Sequence, residues 1–171
     1  MALLDTLSPL RAHAGTVRTR GLDDATLQRF ATGHPDLGAA IDAAAAAYAQ
    51  VKADFPALLE LDEDAQMHAV QADYVNFYAE DAVNPYVALA ARGPWVVTLK
   101  GAVLHDSGGY GMLGFGHTPK AVIEAMAKPQ AMANIMTPSL SQLRFEKAIR
   151  AAIGVTRGGR SEEHTSELQS L

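Results

Sequence analysis

The chain has 171 residues, a net charge of −5 at pH 7, no cysteine, and 49% hydrophobic residues. That apolar content belongs to a globular protein rather than a disordered one, and the mild acidity is the wrong sign for a nucleic-acid footprint, which needs clustered Lys and Arg. Without cysteine, a disulfide framework and a thiolate metal site are both excluded.

The opening run Met1-Ala-Leu-Leu-Asp-Thr-Leu-Ser-Pro-Leu10 has no basic segment, and Asp5 interrupts its short apolar stretch, so it does not read as a secretory signal. No apolar stretch approaches the ~20 residues of a membrane helix. A cytoplasmic protein without a membrane partner is the expectation. Residues 1–20 are mixed in character, with basic Arg11, Arg18 and Arg20, and read as a loose arm. A short helix is predicted over Asp24–Thr32, capped by Asp23 and ended by Gly33. Pro35-Asp36 then opens a stronger one, in which Leu37, Ile41, Ala44, Tyr48, Val51 and Phe55 recur at spacings of three and four. The run Ala43–Ala47 adds intrinsic propensity, and Pro56 bends or restarts the chain. Another helix is predicted from about Asp62 to Ala82, with Met67, Val70, Tyr74, Phe77 and Tyr78 on one face. That face either packs on its own body or docks a partner.

After Asn84-Pro85 the character changes. Trp95-Val-Val-Thr-Leu99 follows Gly93-Pro94 and is β-branched and aromatic, so a strand is predicted there. Lys100-Gly101 reads as a turn and Ala102-Val-Leu-His105 as the returning strand. A glycine-rich stretch, Ser107 to Gly116, comes next. Thr118-Pro119 signals a helix start, with Thr as cap, Pro at the first helical position, and Val122, Ile123 and Met126 as the buried side. A last helix is predicted from Ser139, where Ser139 and Gln142 form a capping box, through Leu143, Ala148, Ile149 and Ala152 to Gly154. The fold class expected is mixed α+β: a helical N-terminal part, a small antiparallel β meander, then helices.

Several patterns invite a chemical reading. Gly109-Tyr-Gly-Met-Leu-Gly114 fits G-x-G-x-x-G after a strand, but the helix that should hold a pyrophosphate begins only at Pro119. No acidic residue stands ~20 positions on to take a ribose hydroxyl. The kinase form lacks its lysine strand and catalytic loop. The glycines read instead as backbone that needs positive φ or close approach beside a pocket. His105 and His117 have no i,i+4 partner on a shared helix, and Asp106 helps only one of them, so no metal site is assigned. Ser107 precedes Gly-Gly without a nucleophile elbow around it. No catalytic residue follows from spacing alone.

The last residues, Arg160-Ser-Glu-Glu-His-Thr-Ser-Glu-Leu-Gln-Ser-Leu171, differ from the rest. Arg160 to Ser170 match, residue for residue, a reading-frame translation of a common short-read sequencing adapter. Residues 160–171 are therefore expected to be an adapter-derived, disordered tail, and the natural chain to continue past Gly159 with a sequence of its own.

The segment from Asn84 to about Gly154 resembles the N-terminal part of class-III, pyridoxal-phosphate-dependent aminotransferases. The resemblance is carried by Gly93-Pro-Trp-Val-Val-Thr-Leu-Lys-Gly-Ala-Val-Leu-His-Asp106, Ser107-Gly108 and Gly116-His117-Thr118-Pro119, in the order of that family's small β meander, Ser/Ala-Gly segment and Gly-His turn into a helix. Ser139-Leu-Ser-Gln-Leu-Arg144 looks like the helix before the family's large domain. The domain division that follows is 1–83 as a helical extension, 84–159 as the truncated family segment, and 160–171 as the artefact.

The resemblance implies a fold-type-I α/β transferase, usually a homodimer, that moves an amino group between an amino acid or amine and a 2-oxo acid. In such enzymes pyridoxal 5'-phosphate forms a Schiff base with a lysine and acts as the electron sink. The matching phosphate loop would fall just after Gly154-Val-Thr-Arg-Gly-Gly159, and the aspartate and lysine later still. Lys52, Lys100, Lys120, Lys128 and Lys147 all precede the catalytic position, so none inherits that role. What carries over is a substrate-pocket lining at Ser107, Gly108, Gly109 and Tyr110, with packing inside the β element as the other reading of Tyr110. No cofactor-binding or metal residue is assigned. The alternative function is a short helical interaction module without catalytic activity.

Overall fold

The computed structural model describes residues 3–12, 14–73, 85–107, 114–129 and 136–153. Residues up to Ile123 form one compact unit and those from Glu124 a second.

The first unit begins with a helix, not a loose arm. Helix α1 (Leu3–Arg11) buries Leu7 and Leu10 completely and Thr6 nearly so. A nine-residue helix carrying Pro9 is marginal alone; packing onto the long helix that follows stabilises it. Helix α2 (Asp24–Ala31) starts as expected, because Asp23 accepts a hydrogen bond from Thr26 N–H at 2.9 Å. Helix α3 (Pro35–Asp54) has Pro35 at its first position and buries Leu37, Ala40, Ile41 and Ala44. Its predicted stripe fades toward the C-terminus, where Tyr48 is half-buried and Phe55 is 61% exposed. Pro56 restarts the chain as a single turn, α4 (Pro56–Leu59). Helix α5 (Glu63–Gln71) buries Met67 but ends near Ala72, short of the Ala82 expected. Tyr74, Phe77 and Tyr78 lie outside the described residues.

Three strands form an antiparallel sheet in the order β1 (Ala88–Arg92), β2 (Trp95–Thr98) and β3 (Val103–His105). The sequence signalled β2 and β3 but not β1, whose Ala-Leu-Ala-Ala-Arg is poor in strand formers. Pairing creates it: Ala90, Ala91 and Arg92 stand opposite Val97, Val96 and Trp95, with an irregularity between Ala88 and Ala90. Gly93-Pro94 makes the two-residue turn, and Gly93 supplies the positive φ of +51° that such a hairpin requires. Central strand β2 is buried throughout. Its alternation sends Trp95 and Val97 into one core with Leu7, Leu10, Leu27, Leu37, Ile41 and Val103. Helix α3 spans β1 and β2, and Ala40 and Ala44 keep that contact close. Helices α1, α2 and α3 and the sheet thus share one core.

Helix α6 (Lys120–Met126) departs from expectation in two ways. Thr118 has φ +53° and its hydroxyl bonds Ala91 O and Arg92 Nη1, with Pro119 standing just before the helix, and Val122, Ile123 and Met126 are 39, 46 and 77% exposed. In the second unit, α7 (Leu140–Ile153) begins as predicted, with Ser139 Oγ accepting from Gln142 N–H at 3.2 Å. Its Leu140, Leu143, Phe145 and Ile153 are exposed. Among the described residues, no helix is long and apolar enough to cross a membrane.

Candidate functional site

The polar residues that the sequence placed around the glycine-rich stretch meet at one end of the sheet. Strand β3 finishes at His105, and Asp106 N–H then donates to Pro94 O at 2.7 Å, on the β1–β2 turn. The returning chain pairs Gly93 with His117 through two backbone hydrogen bonds of 3.0 and 2.7 Å. This bridge brings His117 Nε2 within 2.9 Å of Asp106 Oδ2, both side chains about a quarter exposed. The two ends of the stretch between them are therefore tied together by backbone and side chain. Gly116 makes this possible: with φ +71°, an added Cβ would meet the Gly93 backbone at 2.9–3.0 Å.

Thr118 completes the junction. Its hydroxyl donates to Ala91 O at 3.1 Å and accepts from Arg92 Nη1 at 2.9 Å, while the same Arg92 atom donates to Ala91 O at 2.8 Å. A β-branched residue at positive φ is strained, and these two hydrogen bonds are what hold it there. Beside the junction, the Trp95 ring is met edge-on by His105 at 5.0 Å and His34 at 5.9 Å between centroids, and Phe30 lies at 5.8 Å. These aromatic contacts fix the end of the sheet on which Asp106 stands.

Chemically, an imidazole steadied by a carboxylate can orient a ligand or relay a proton. Of the residues predicted to line a substrate pocket, Ser107 is exposed immediately after Asp106; Gly108, Gly109 and Tyr110 lie outside the described residues. Sequence reasoning singled out His117 and Asp106 separately, and the structure pairs them. It missed Arg92 and the contact that Arg92 makes with Thr118, which spans 26 positions and left no local signal. Among the described residues, no three His, Asp or Glu side chains could together hold a metal ion.

A second polar cluster lies at the other end of the hairpin. Lys100, in the β2–β3 turn, is buried, and its Nζ donates to Ala14 O at 2.7 Å and weakly to Leu59 O at 3.5 Å. Burial pushes its ammonium below the usual lysine range, and the carboxylates of Asp62, Glu63 and Glu60 partly offset that. The Thr16 hydrogen bonds on Asp62 hold its carboxyl below the usual value. Nothing in the sequence singled out Lys100, because a lone lysine in a turn reads as solvated.

No protein-family model matches the chain, and no curated protein or solved structure is similar to it.

Proposed function

We propose that the chain is the front part of a class-III pyridoxal-phosphate-dependent aminotransferase, which moves an amino group between an amino acid or amine and a 2-oxo acid. The observation that supports this reading is the junction just described. An antiparallel meander ends in Asp106-Ser107, and Gly116-His117-Thr118-Pro119 leads into α6, the two joined by the Asp106–His117 pair. That is the order of elements on which the resemblance rests. In this reading Asp106 and His117 hold the ends of the segment whose Ser107, Gly108, Gly109 and Tyr110 line the substrate side.

The lysines of this chain do not fit the role of cofactor anchor. Lys100 is committed to Ala14 O beneath a covering segment, and Lys52, Lys120, Lys128 and Lys147 are exposed. No step of the transfer is assigned to the 171 residues, and the chain by itself is inactive. Reading the gene beyond Gly159 tests the proposal: a continuing frame with a Ser-Gly-Ser-like phosphate loop and a downstream lysine supports it, and an early natural stop defeats it. Visible absorbance from lysine-bound cofactor, with turnover by the isolated chain, would overturn the statement that it is inactive.

A second reading, a helical interaction module without catalysis, draws on α7, whose Leu140, Leu143, Phe145 and Ile153 are exposed. An early stop in the gene, with retention of a protein partner that is lost on Leu140→Ser, favours this reading.

A further inference from the structure

Residues Ala14–Thr19 run without helix or strand structure across the start of α5, and side chains hold their backbone. Asp62 Oδ1 accepts from Thr16 N–H, Glu63 Oε2 accepts from Arg18 and Thr19 N–H at 2.6 and 2.8 Å, and Lys100 Nζ donates to Ala14 O at 2.7 Å. Glu63 N–H donates to Thr16 O at 3.0 Å, and the Arg18 guanidinium grips both oxygens of Asp64. None of the six residues is buried; Val17, their one large apolar side chain, is 44% exposed. Apolar burial, the force that makes core elements hard to open, contributes little to this segment.

Beneath it the chemistry is polar and incompletely satisfied. Lys100 and Glu63 are 3 and 1% exposed, and among the described residues Glu63 Oε1 has no hydrogen-bond partner. A dry acceptor without a donor disfavours the closed arrangement, and water satisfies it on opening. The flanks are secured differently. Leu7 and Leu10 anchor α1 in the core, Arg11 Nε donates to Gly101 O at 3.1 Å, and Leu22 N–H donates to Val103 O at 2.8 Å. Between those anchors stand Gly15 and Gly21, both at positive φ and both able to take up other backbone conformations.

We propose that Ala14–Thr19 is a releasable strap, which opens while α1, α3 and the sheet stay folded and uncovers the Lys100 amine beside the Glu63 carboxylate. Glu63 is its latch, because one carboxylate oxygen holds two strap amides by charge-assisted bonds. The device rests on this region alone and stands whether or not the chain proves to be an aminotransferase fragment.

Two readouts on the full chain test it. Amide exchange of Arg18 and Thr19 is compared with that of Thr98, whose N–H bonds Ala102 O inside the core hairpin. Labelling of the Lys100 amine by a water-soluble ester is compared with that of exposed Lys52. Arg18, Thr19 and Lys100 are expected to share one opening that is insensitive to low urea, while Thr98 follows global unfolding. Lys100 should label at least ~10-fold more slowly than Lys52, and Glu63→Gln should speed all three strap readouts by about 5- to 10-fold; Thr98 should quicken by a similar factor, because a less stable closed state lies nearer to global unfolding too, while the strap readouts stay insensitive to low urea. Three results overturn the strap: its readouts tracking Thr98 across urea, Lys100 labelling as fast as Lys52, or rates indifferent to Glu63→Gln. Should Glu63→Gln fail to fold, the urea comparison on the native chain decides, together with Asp62→Ala, which removes the Thr16 hold and one of the carboxylates facing Lys100 and should also speed opening.

Discussion

Two leucine-to-alanine changes of identical chemistry should differ widely in cost. Leu37 is fully buried in the core that joins α3 to the sheet, whereas Leu143 on α7 is 47% exposed. Leu37→Ala deletes three carbons, worth about 2.4 kcal/mol at ~0.8 kcal/mol each, and the cavity left behind brings the loss to about 3 kcal/mol or more. Ala40 and Ala44 beside it leave little large side-chain volume on α3 to relax into the hole. Trp95 provides the assay: it is the single tryptophan, 2% exposed, and packed in the same core. Urea unfolding followed by its fluorescence should show the Leu37→Ala midpoint falling by about 1–3 M, given a slope of ~1–3 kcal/mol per M. Leu143→Ala should cost less than ~0.5 kcal/mol. Equal losses, or a Leu37→Ala cost under ~1 kcal/mol, would refute the assignment of the core.

Glycine substitutions at the His117 junction should separate strain from collision. Gly114→Ala meets open space and should cost only the left-handed penalty of roughly 1–2 kcal/mol, while Gly116→Ala adds a collision with the Gly93 backbone and should cost clearly more in the same urea assay. On acidification, Asp23 and Asp62 work in one direction. The Thr26 hydrogen bonds lower the first and the Thr16 hydrogen bonds lower the second, so their contribution is full above the ordinary value of 3.8 and is lost as pH falls through their lower folded-state values. Asp23→Ala should shift the urea midpoint down at neutral pH and flatten the acid limb; an unchanged limb speaks against the cap. Lys100 acts at the other extreme. Burial lowers its folded value, so the unfolded chain binds more protons, and stability should rise with pH from that lowered value up to the ordinary 10.5. In Lys100→Met that alkaline rise should vanish, which urea midpoints measured across this range will check.

Local signals in the sequence were read well where they act within a turn or two. Asp23 before Thr26, Pro35 at a helix start and Ser139 before Gln142 each satisfy free helix amides from three residues away or fewer, or remove one, and each stands where it was expected. The β-branched run after Gly93-Pro94 likewise gave β2. Misreadings arose where a partner decides. Residues Leu3–Arg11 looked like an arm because their helix is stabilised by α3, and Ala88–Arg92 is a strand only because β2 lies beside it. At the candidate site, Asp106 and His117 were visible as residue types but not as a pair, and Arg92 with Thr118 was not visible at all.

The mixed α+β composition, most helix starts and the central hairpin are legible along the chain, since they depend on caps, proline geometry and apolar period within a few positions. Which polar groups meet is set by long-range packing. Arg11 reaches Gly101 across 90 positions, Lys100 reaches Ala14 across 86, and Asp62 takes Thr16 N–H across 46. Such contacts carry no periodicity and no local preference; they exist because burying Leu7, Leu10, Leu37, Ile41, Trp95 and Val97 together brings distant backbone into reach. The residues that give this chain its polar clusters are therefore placed by its core, and a linear reading sees the core's pattern before it sees what the core brings together.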